Sequence, residues 1–506
     1  MRLSLGLGFF ILLVIIYSLL FSHIPINSDC ASYFLQAQDM VNGNVFLKNW
    51  TLTMDTYYSI DTAFLAVAML IAGPSLKLFY IVPAIVFALM VLLTLALSKQ
   101  KSYSFFSFCF IFIMLGLPSL NTANLSFGLI AYHAGSLLYC LLILFCIIKL
   151  QRPVLKALLC FFLTYLVCLG DPWVDFVLVL PLLMVWLLGK KQAETQAPLA
   201  YLPFVFLSAV ILAHLSVWLL SHVYPISIAA IDHKIDSPKE SLLALIFLLI
   251  NFAHLAGIYI QAPKYFTVIH QLGLIIMIWG FLRAIKNWQE QDWLNRFFIT
   301  SIITMAAAFI LSEASMGSYL AQAQVDIFSA RYLSSCYVFG IILSMRVFKE
   351  DMLLKAFLLK DIKGLMAILL ALNLYYFIPL LFLPKPEPPV MPAIQWLEKN
   401  QYSHGYGNYW EASAITVMSS GKLTVRPIIN PIDSNEITPD HWLTKSDWYS
   451  KTESPDQGNF IIFNSRHPDR LDLAKIILNF GKPGQIITIN GYTILIWNKN
   501  ISNKWQ

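Results

Sequence analysis

Residues 3–21 read LSLGLGFFILLVIIYSLLF, and this stretch decides the fold class of the chain. It is an uncharged apolar run of about the length that an α-helix needs to cross the hydrocarbon core of a bilayer. Only Met1 and Arg2 precede it, and no cleavage site of small residues follows it. We therefore expect it to remain in the protein as a membrane-spanning signal anchor.

Apolar runs of similar character recur along the chain. Hydrophobic residues make up 58% of the 506 positions and charged residues only 12%, a balance that excludes a soluble single-domain enzyme. The predicted fold class is a polytopic α-helical membrane protein. We mark thirteen apolar stretches, at 3–22, 59–73, 76–98, 103–120, 127–148, 154–170, 174–189, 198–221, 241–260, 265–282, 297–312, 332–346 and 364–383.

The basic residues between these stretches predict their orientation. If all thirteen crossed, the groups around Lys149 and at Lys190 and Lys191 would lie outside, against the usual excess of Lys and Arg on the cytoplasmic side. All of them become cytoplasmic if 59–73 and 241–260 are juxtamembrane or re-entrant helices. We therefore predict about eleven crossings and a cytoplasmic N-terminus, while leaving open whether these two stretches cross.

The run Pro384-Lys-Pro-Glu-Pro-Pro389 marks a domain boundary, because consecutive prolines cannot continue a helix and form a stiff spacer. We predict a transmembrane domain at 1–383 with a first outer loop at 22–75, a linker at 384–389, and an extracytoplasmic soluble α/β domain at 390–506. Within the last domain, the patterns predict helices at 394–399 and 471–478 and strands at 415–418, 423–425, 460–463, 485–489 and 492–497.

Several common kinds of functional site are absent from the sequence. The seven cysteines stand singly, mostly inside apolar runs, and indicate neither a disulfide framework nor a zinc site. No glycine-rich nucleotide fingerprint follows a predicted strand, which argues against a nucleotide-driven enzyme or pump. The net charge of +6 comes from Lys and Arg in short loops, so it reflects topology and predicts no nucleic-acid partner.

The first outer loop carries the principal catalytic candidate. Asp29 follows the first apolar run, and Tyr33, Ala37 and a turn at Gly43 come after it. A hydroxyl that attacks the anomeric carbon of a sugar needs a general base, whereas a lipid phosphate leaves as a stabilised anion without an acid. One carboxylate at the membrane surface is enough for such a reaction. The alternative interpretation is a solvated residue at a helix start.

Asp55 and Asp61 flank aromatic residues at the end of the same loop. Two carboxylates at the membrane surface suit the binding of sugar hydroxyls or of a metal ion. The alternative is that one of them caps the N-terminus of the helix predicted at 59–73, a position that Asp favours.

Three further segments are predicted to face the same compartment as Asp29. His133 begins the apolar run at 127–148 from that side, and Asp171 precedes the run at 174–189, where with Pro172 it also suits a plain helix cap. Arg331 and Tyr332 open another helix. The guanidinium suits a lipid phosphate, while the alternative for the pair is an interfacial anchor.

Two glycines and three aromatic residues fall within 405–410, before Glu411. We expect a glycine-rich loop here, either a surface on which an acceptor sugar stacks or part of the packing of the C-terminal domain.

In these features the chain resembles the GT-C-fold glycosyltransferases that use polyprenyl-phosphate-linked sugars, a group that includes protein O-mannosyltransferases and lipid A aminoarabinose transferases. The shared features are Asp29 with the Tyr33…Ala37…Gly43 pattern, the non-crossing stretch that ends at Gly73, and a spanning bundle followed by an outer domain. The family often has an acidic pair in the first loop, where this chain has Asp29 followed by a cysteine.

The resemblance implies a glycosyltransferase of a bacterial inner membrane. It would move a sugar from a polyprenyl phosphate to a glycan, lipid or protein acceptor of the cell envelope, on the extracytoplasmic face. Asp29 would be the catalytic base, and a divalent metal ion is the one cofactor left open. The residues expected to bind donor and acceptor are Asp55, Asp61, His133, Asp171, Arg331 and Tyr332. The alternatives are a lipid-linked sugar flippase or transporter and a non-catalytic envelope-assembly protein.

Overall fold

The structure is a computed structural model that describes residues 2–99, 104–189, 201–229, 238–312, 327–348, 362–431, 434–449, 458–466 and 471–505. The basic residues Lys190 and Lys191, on which the predicted topology partly depends, lie outside these residues. The chain divides into two compact units. The helical unit comprises Met1–Ile24, Tyr80–Ser216 and Asp232–Pro384, and the sheet unit comprises Pro25–Phe79, Val217–Ile231 and Lys385–Gln506.

Helices dominate the structure. In chain order the α-helices are α1 (Arg2–Phe21), α2 (Ser28–Val41), α3 (Ala63–Ala72), α4 (Leu78–Ser98), α5 (Phe105–Ile111), α6 (Leu120–Thr122), α7 (Ala134–Lys149), α8 (Pro153–Gly170), α9 (Leu180–Gly189), α10 (Leu202–Val223), α11 (Pro238–Leu255), α12 (Lys264–Lys286), α13 (Trp293–Leu311), α14 (Ser334–Val347), α15 (Ile362–Leu380), α16 (Met391–Lys399), α17 (Tyr409–Met418) and α18 (Leu473–Phe480). Wider π-helical turns span Tyr58–Thr62, Phe112–Gly116, Ala123–Phe127 and Asp175–Val179, and 3₁₀ turns span Trp288–Glu290, Ile327–Leu333, Ser446–Tyr449 and Ser502–Lys504.

Eight helices within the described residues are long and apolar enough to cross a membrane. They are Ser4–Phe21, Leu78–Ser98, Pro153–Gly170, Leu202–Val223, Lys264–Lys286, Trp293–Leu311, Ile327–Val347 and Ile362–Leu380. A bent pair of helices makes a ninth if it counts as one span. Lengths and composition of this kind indicate an integral membrane protein.

Among the described residues, four further apolar helices are shorter, at 10–17 residues. Two of them, Tyr58–Ala72 and Glu240–Leu255, cover the stretches that we expected to be juxtamembrane or re-entrant helices. The other two, Ala134–Lys149 and Asp175–Leu188, were expected to cross. The count of eleven crossings requires both of these to span the bilayer and stays a prediction.

The stretch 103–120, predicted as one crossing, is broken. Helix runs over Phe105–Gly116 and resumes over Leu120–Phe127 at an angle of 67°. Pro118 has no backbone N–H to continue the first segment, and the Ser119 hydroxyl accepts from the Thr122 N–H at 3.1 Å to cap the second. The break therefore follows from local sequence, and the pair is either a broken span or a re-entrant loop.

The sheet unit contains a mixed six-stranded sheet and a short two-stranded one. The strands are β1 (Thr51–Leu52), β2 (Ser227–Ile228), β3 (His404–Gly407), β4 (Thr424–Ile429), β5 (Thr438–Pro439), β6 (Phe460–Asn464), β7 (Gln485–Ile489) and β8 (Tyr492–Ile496). The large sheet has the order β5-β4-β3-β6-β8-β7. Its central strand β3 is parallel to β4 and β6, while the remaining pairs are antiparallel. The expected strands at 423–425, 460–463, 485–489 and 492–497 overlap β4, β6, β7 and β8.

Two hydrophobic cores cover the faces of this sheet. Along β6, Ile461 faces one core, while Phe460 and Ile462 face the other, as the period of two requires. The first of these cores also contains Trp50 and Leu52 from the first loop. The first loop is therefore part of the sheet unit and packs together with the C-terminal residues.

Two expectations for the C-terminal region were wrong. The stretch 415–418 was expected to be a strand but forms the second half of α17, because a short apolar run suits either structure and the Asn408 cap starts a helix here. The stretch 405–410 was expected to be a loop but contains the last three residues of β3 and the start of α17. A Cβ at Gly405 would meet the Phe460 ring at 2.4 Å, and one at Gly407 would meet a carbonyl oxygen of β6 at 2.9 Å. These glycines thus allow close strand packing.

Candidate functional site

Asp29 lies in the first turn of α2, in the sheet unit. The side chain of Asn27 caps this helix by accepting a hydrogen bond from the Cys30 N–H at 2.9 Å. The start of a helix favours a negative charge, so the local fold suits an ionised carboxylate at this position. Asp29 is half-buried.

Tyr409, the first residue of α17, contacts this carboxylate directly. Its hydroxyl donates to Oδ1 of Asp29 at 2.5 Å. One turn further along both helices, the hydroxyls of Ser32 and Ser413 are 3.0 Å apart. The C-terminal part of the chain thereby supplies a hydrogen-bond donor to the predicted catalytic base.

The three first-loop carboxylates gather around one buried tyrosine. The Tyr33 hydroxyl lies 3.0 Å from Oγ1 of Thr53 and donates to the backbone oxygen of Asp55 at 3.2 Å. Burial, together with the charges of Asp29, Asp55 and Asp61, holds the pKa of Tyr33 well above its usual range. The structure thus brings the predicted residues of this loop into one acidic cluster.

The capping alternative for Asp55 and Asp61 is wrong. The helix begins at Tyr58, Tyr57 holds the N-cap position, and the Thr56 hydroxyl accepts from the Tyr58 N–H at 3.4 Å. Asp61 is inside the first turn and buried. Tyr57 has a left-handed backbone with a φ of 46°, which is uncommon for a bulky residue and typical of strained functional segments.

A second cluster lies in the helical unit. Nδ1 of His133, which precedes α7, is 2.8 Å from Oδ2 of Asp171, which follows α8, and both side chains are fully buried. The Ser136 hydroxyl donates to the same oxygen, and the Trp173 N–H donates to Oδ1 at 3.0 Å. Asp171 therefore caps the next helical turn and also contacts an imidazole, while its expected role in substrate binding stays a prediction.

Aromatic rings and a guanidinium extend this cluster. The His133 ring lies 4.9 Å from Trp173 and 5.0 Å from Tyr332. The Arg331 guanidinium lies 5.0 Å from the rings of both Tyr132 and Tyr332, and it donates to the Tyr332 hydroxyl at 3.2 Å. Cation–π packing of this kind holds a guanidinium in place while it retains its charge.

Asp175 lies one turn beyond Asp171, on a more accessible surface of the helical unit. Its Oδ2 is 3.0 Å from Nε2 of His214, and the two side chains are 29% and 48% exposed. Cys168 also contacts this carboxylate, at 3.7 Å. The contact is an accessible carboxylate–imidazole pair of the helical unit.

The structure thus gathers the predicted residues into two clusters, one in each unit. The acidic cluster holds Asp29, Asp55 and Asp61, and the imidazole–guanidinium cluster holds His133, Asp171, Arg331 and Tyr332.

Sequence reasoning missed the roles of three neighbours of these residues. Ser136 lies one turn after His133, so helical spacing offered a signal for its contact. The contact of Trp173 also had a signal in the sequence, because Trp173 follows Asp171 and a proline. Tyr409 offered none, because its partner is 380 residues away.

Within the described residues, no three His, Cys, Asp or Glu side chains are grouped so that they hold a metal ion.

Comparisons with known proteins give no family for this chain. No protein-family model matches the sequence, and no curated protein is similar to it.

Proposed function

We propose that this protein is a membrane glycosyltransferase that moves a sugar from a polyprenyl-phosphate donor to a cell-envelope acceptor, on the extracytoplasmic face. The observation that carries the proposal is the environment of the Asp29 carboxylate. It is half-buried, lies at the start of a helix, and accepts a hydrogen bond from Tyr409 at 2.5 Å. A carboxylate held in this way suits a general base.

The reaction that fits these residues is a single displacement. Asp29 takes the proton of an acceptor hydroxyl as its oxygen forms a bond to the anomeric carbon of the donor sugar. The bond from that carbon to the phosphate oxygen breaks, and the lipid phosphate leaves with the electron pair. Attack opposite the leaving group inverts the anomeric configuration.

The imidazole–guanidinium cluster of the helical unit has groups that suit a lipid phosphate. The donor is a phosphodiester and the product is a phosphomonoester, so both carry negative charge. A guanidinium forms charge-assisted hydrogen bonds with phosphate oxygens. Arg331 is fixed between two tyrosine rings, and Asp171 fixes the orientation of the His133 imidazole.

The neighbouring carboxylates suit the sugar. Asp61 is buried and Asp55 half-buried, at the segment that ends the first loop. Carboxylates accept hydrogen bonds from sugar hydroxyls and are stronger acceptors than neutral groups. In the proposed reaction these two residues bind hydroxyls of the donor or acceptor sugar, and Asp29 alone exchanges a proton.

A reconstituted transfer assay tests this function. The full chain is placed in lipid vesicles with polyprenyl phosphates that carry radiolabelled hexoses or pentoses, and with an envelope extract as acceptor. We expect label on the acceptor together with free polyprenyl phosphate, and no transfer from nucleotide sugars. Movement of intact donor across the vesicle membrane, with its glycosidic bond preserved, would instead identify a flippase.

A further inference from the structure

Tyr409 lies at the junction of β3 and α17. The strand ends at Gly407, and the Asn408 side chain caps the helix by accepting from the Trp410 N–H at 2.9 Å. The Tyr409 side chain is 7% exposed. Its position is therefore set by the central strand of the sheet and by a capped helix start rather than by a loop.

Side-chain hydrogen bonds join α17 to α2. Tyr409 donates to Asp29, and Ser32 and Ser413 form the second contact, at 3.0 Å between two buried hydroxyls. Residues separated by three or four positions lie on one face of a helix, so both bonds belong to the same helix–helix contact. The two bonds differ in their acceptors, because only the bond from Tyr409 is donated to a carboxylate.

The direction of the first bond follows from electrostatics. Burial, the charge of Asp29 and the hydrogen bond to it hold the pKa of Tyr409 well above its usual range. Tyr409 therefore keeps its proton and acts as the donor. A hydrogen bond donated to a carboxylate favours the ionised form, and it is stronger than a bond between neutral groups.

We propose that Tyr409 is a positioning residue that keeps the Asp29 carboxylate ionised and oriented, so that the C-terminal residues contribute to the reaction centre. This inference rests on the proposed function, in which Asp29 is the base. It gives the C-terminal residues a role in catalysis besides any binding of acceptor.

A measurement without substrate tests the coupling between the two residues. The protonated-carboxyl band of Asp29 is followed by infrared difference spectroscopy as a function of pH in the purified full chain. The band is assigned by its disappearance in Asp29→Asn. The test variant is Tyr409→Phe, and the matched control is Ser413→Ala, which removes the neighbouring bond between the same two helices.

We expect the titration midpoint of Asp29 to rise by about one pH unit in Tyr409→Phe. The midpoint in Ser413→Ala should equal that of the unsubstituted chain. Equal midpoints in Tyr409→Phe and Ser413→Ala would overturn the inference. If Tyr409→Phe does not fold, incorporation of 3-fluorotyrosine at position 409 gives a stronger donor of almost the same shape. The midpoint should then fall, and an unchanged midpoint would again overturn the inference.

Transfer kinetics separate this inference from the proposed function. The acid limb of the rate–pH profile should move upward in Tyr409→Phe by the same amount as the infrared midpoint, with the loss in kcat rather than in KM. An infrared shift without a shift of the acid limb would remove Tyr409 from catalysis. Undiminished transfer by Asp29→Asn would instead overturn the assignment of the base, and with it the role of Tyr409.

Discussion

Nδ1 of His133 and Oδ2 of Asp171 are 2.8 Å apart, although the residues come from different helices and are separated by 37 intervening positions. Both side chains are fully buried. His133 reaches this contact from a left-handed backbone with a φ of 62°, and strained conformations persist only where the surroundings enforce them. The pair therefore fixes how the ends of α7 and α8 meet.

Truncation of the carboxylate should destabilise the protein strongly. Asp171→Ala leaves three donors, on His133, Ser136 and Trp173, without their acceptor. Each buried donor that is left without a partner costs about 1–3 kcal/mol. The measurement is the apparent melting temperature of the purified chain. The control Ser136→Ala removes one donor and should cost about 1 kcal/mol, and equal melting temperatures for the two variants would contradict the assigned role.

The role of Arg331 in binding the donor is tested by a substitution that keeps its positive charge but removes its planar guanidinium. Arg331→Lys loses the planar group that packs against Tyr132 and Tyr332. We expect KM for the polyprenyl-phosphate donor to rise roughly tenfold, because lysine does not reproduce stacked, bidentate binding. Arg296, which packs 5.6 Å from the Trp288 ring, is the matched control. Arg296→Lys should leave KM unchanged, and an equal effect of both substitutions would argue against phosphate binding at Arg331.

Glu411 gives a prediction about pH. Burial raises the pKa of its carboxyl from 4.5 to about 7. Between these two values the unfolded chain releases the proton while the folded chain keeps it, so stability falls as pH rises through this window. The Glu411→Gln variant has no carboxyl that titrates, so its stability does not fall in this pH window. The variant should therefore be more stable than the unsubstituted chain at pH 8, by at most about 3 kcal/mol, and the difference should vanish near pH 4.5.

Melting temperatures at pH 4.5 and pH 8 check this prediction. Glu398→Gln serves as control, because Glu398 pairs with an exposed lysine at 3.3 Å and surface pairs contribute little. A pH-independent effect of Glu411→Gln would show that the carboxyl is not the titrating group.

Much of the secondary structure was predictable because its signals are local. Long apolar runs, the proline run before residue 390 and the alternating strands β6, β7 and β8 follow from periodicity and length. The run at 103–120 is long enough for one span, but Pro118 interrupts it. A criterion based on length alone does not detect such a break. The stretch 415–418 shows the ambiguity of short apolar runs, which only the helix cap at Asn408 resolves.

The candidate site was predictable residue by residue but not as clusters. Asp29 and Arg331 were predicted as site residues because they are charged and lie at the edges of apolar runs, where charge is costly. Their neighbours depend on contacts between distant segments. Trp50 packs into the core beneath the C-terminal sheet, and Tyr409 contacts Asp29 across 380 positions. No periodicity in a single sequence reports such pairings.

A single-turnover transfer experiment with Asp29→Asn tests the central claim most directly. Enzyme in excess over labelled polyprenyl-phosphate sugar is mixed with acceptor, and the release of free lipid phosphate is followed over time. Asp472→Asn is the control, because Asp472 caps α18 in the same unit and asparagine caps equally well. We predict that Asp29→Asn slows transfer by roughly 10²–10⁴-fold while Asp472→Asn matches the unsubstituted chain. Equal rates for all three proteins would contradict the role of Asp29 as the base of a glycosyl transfer.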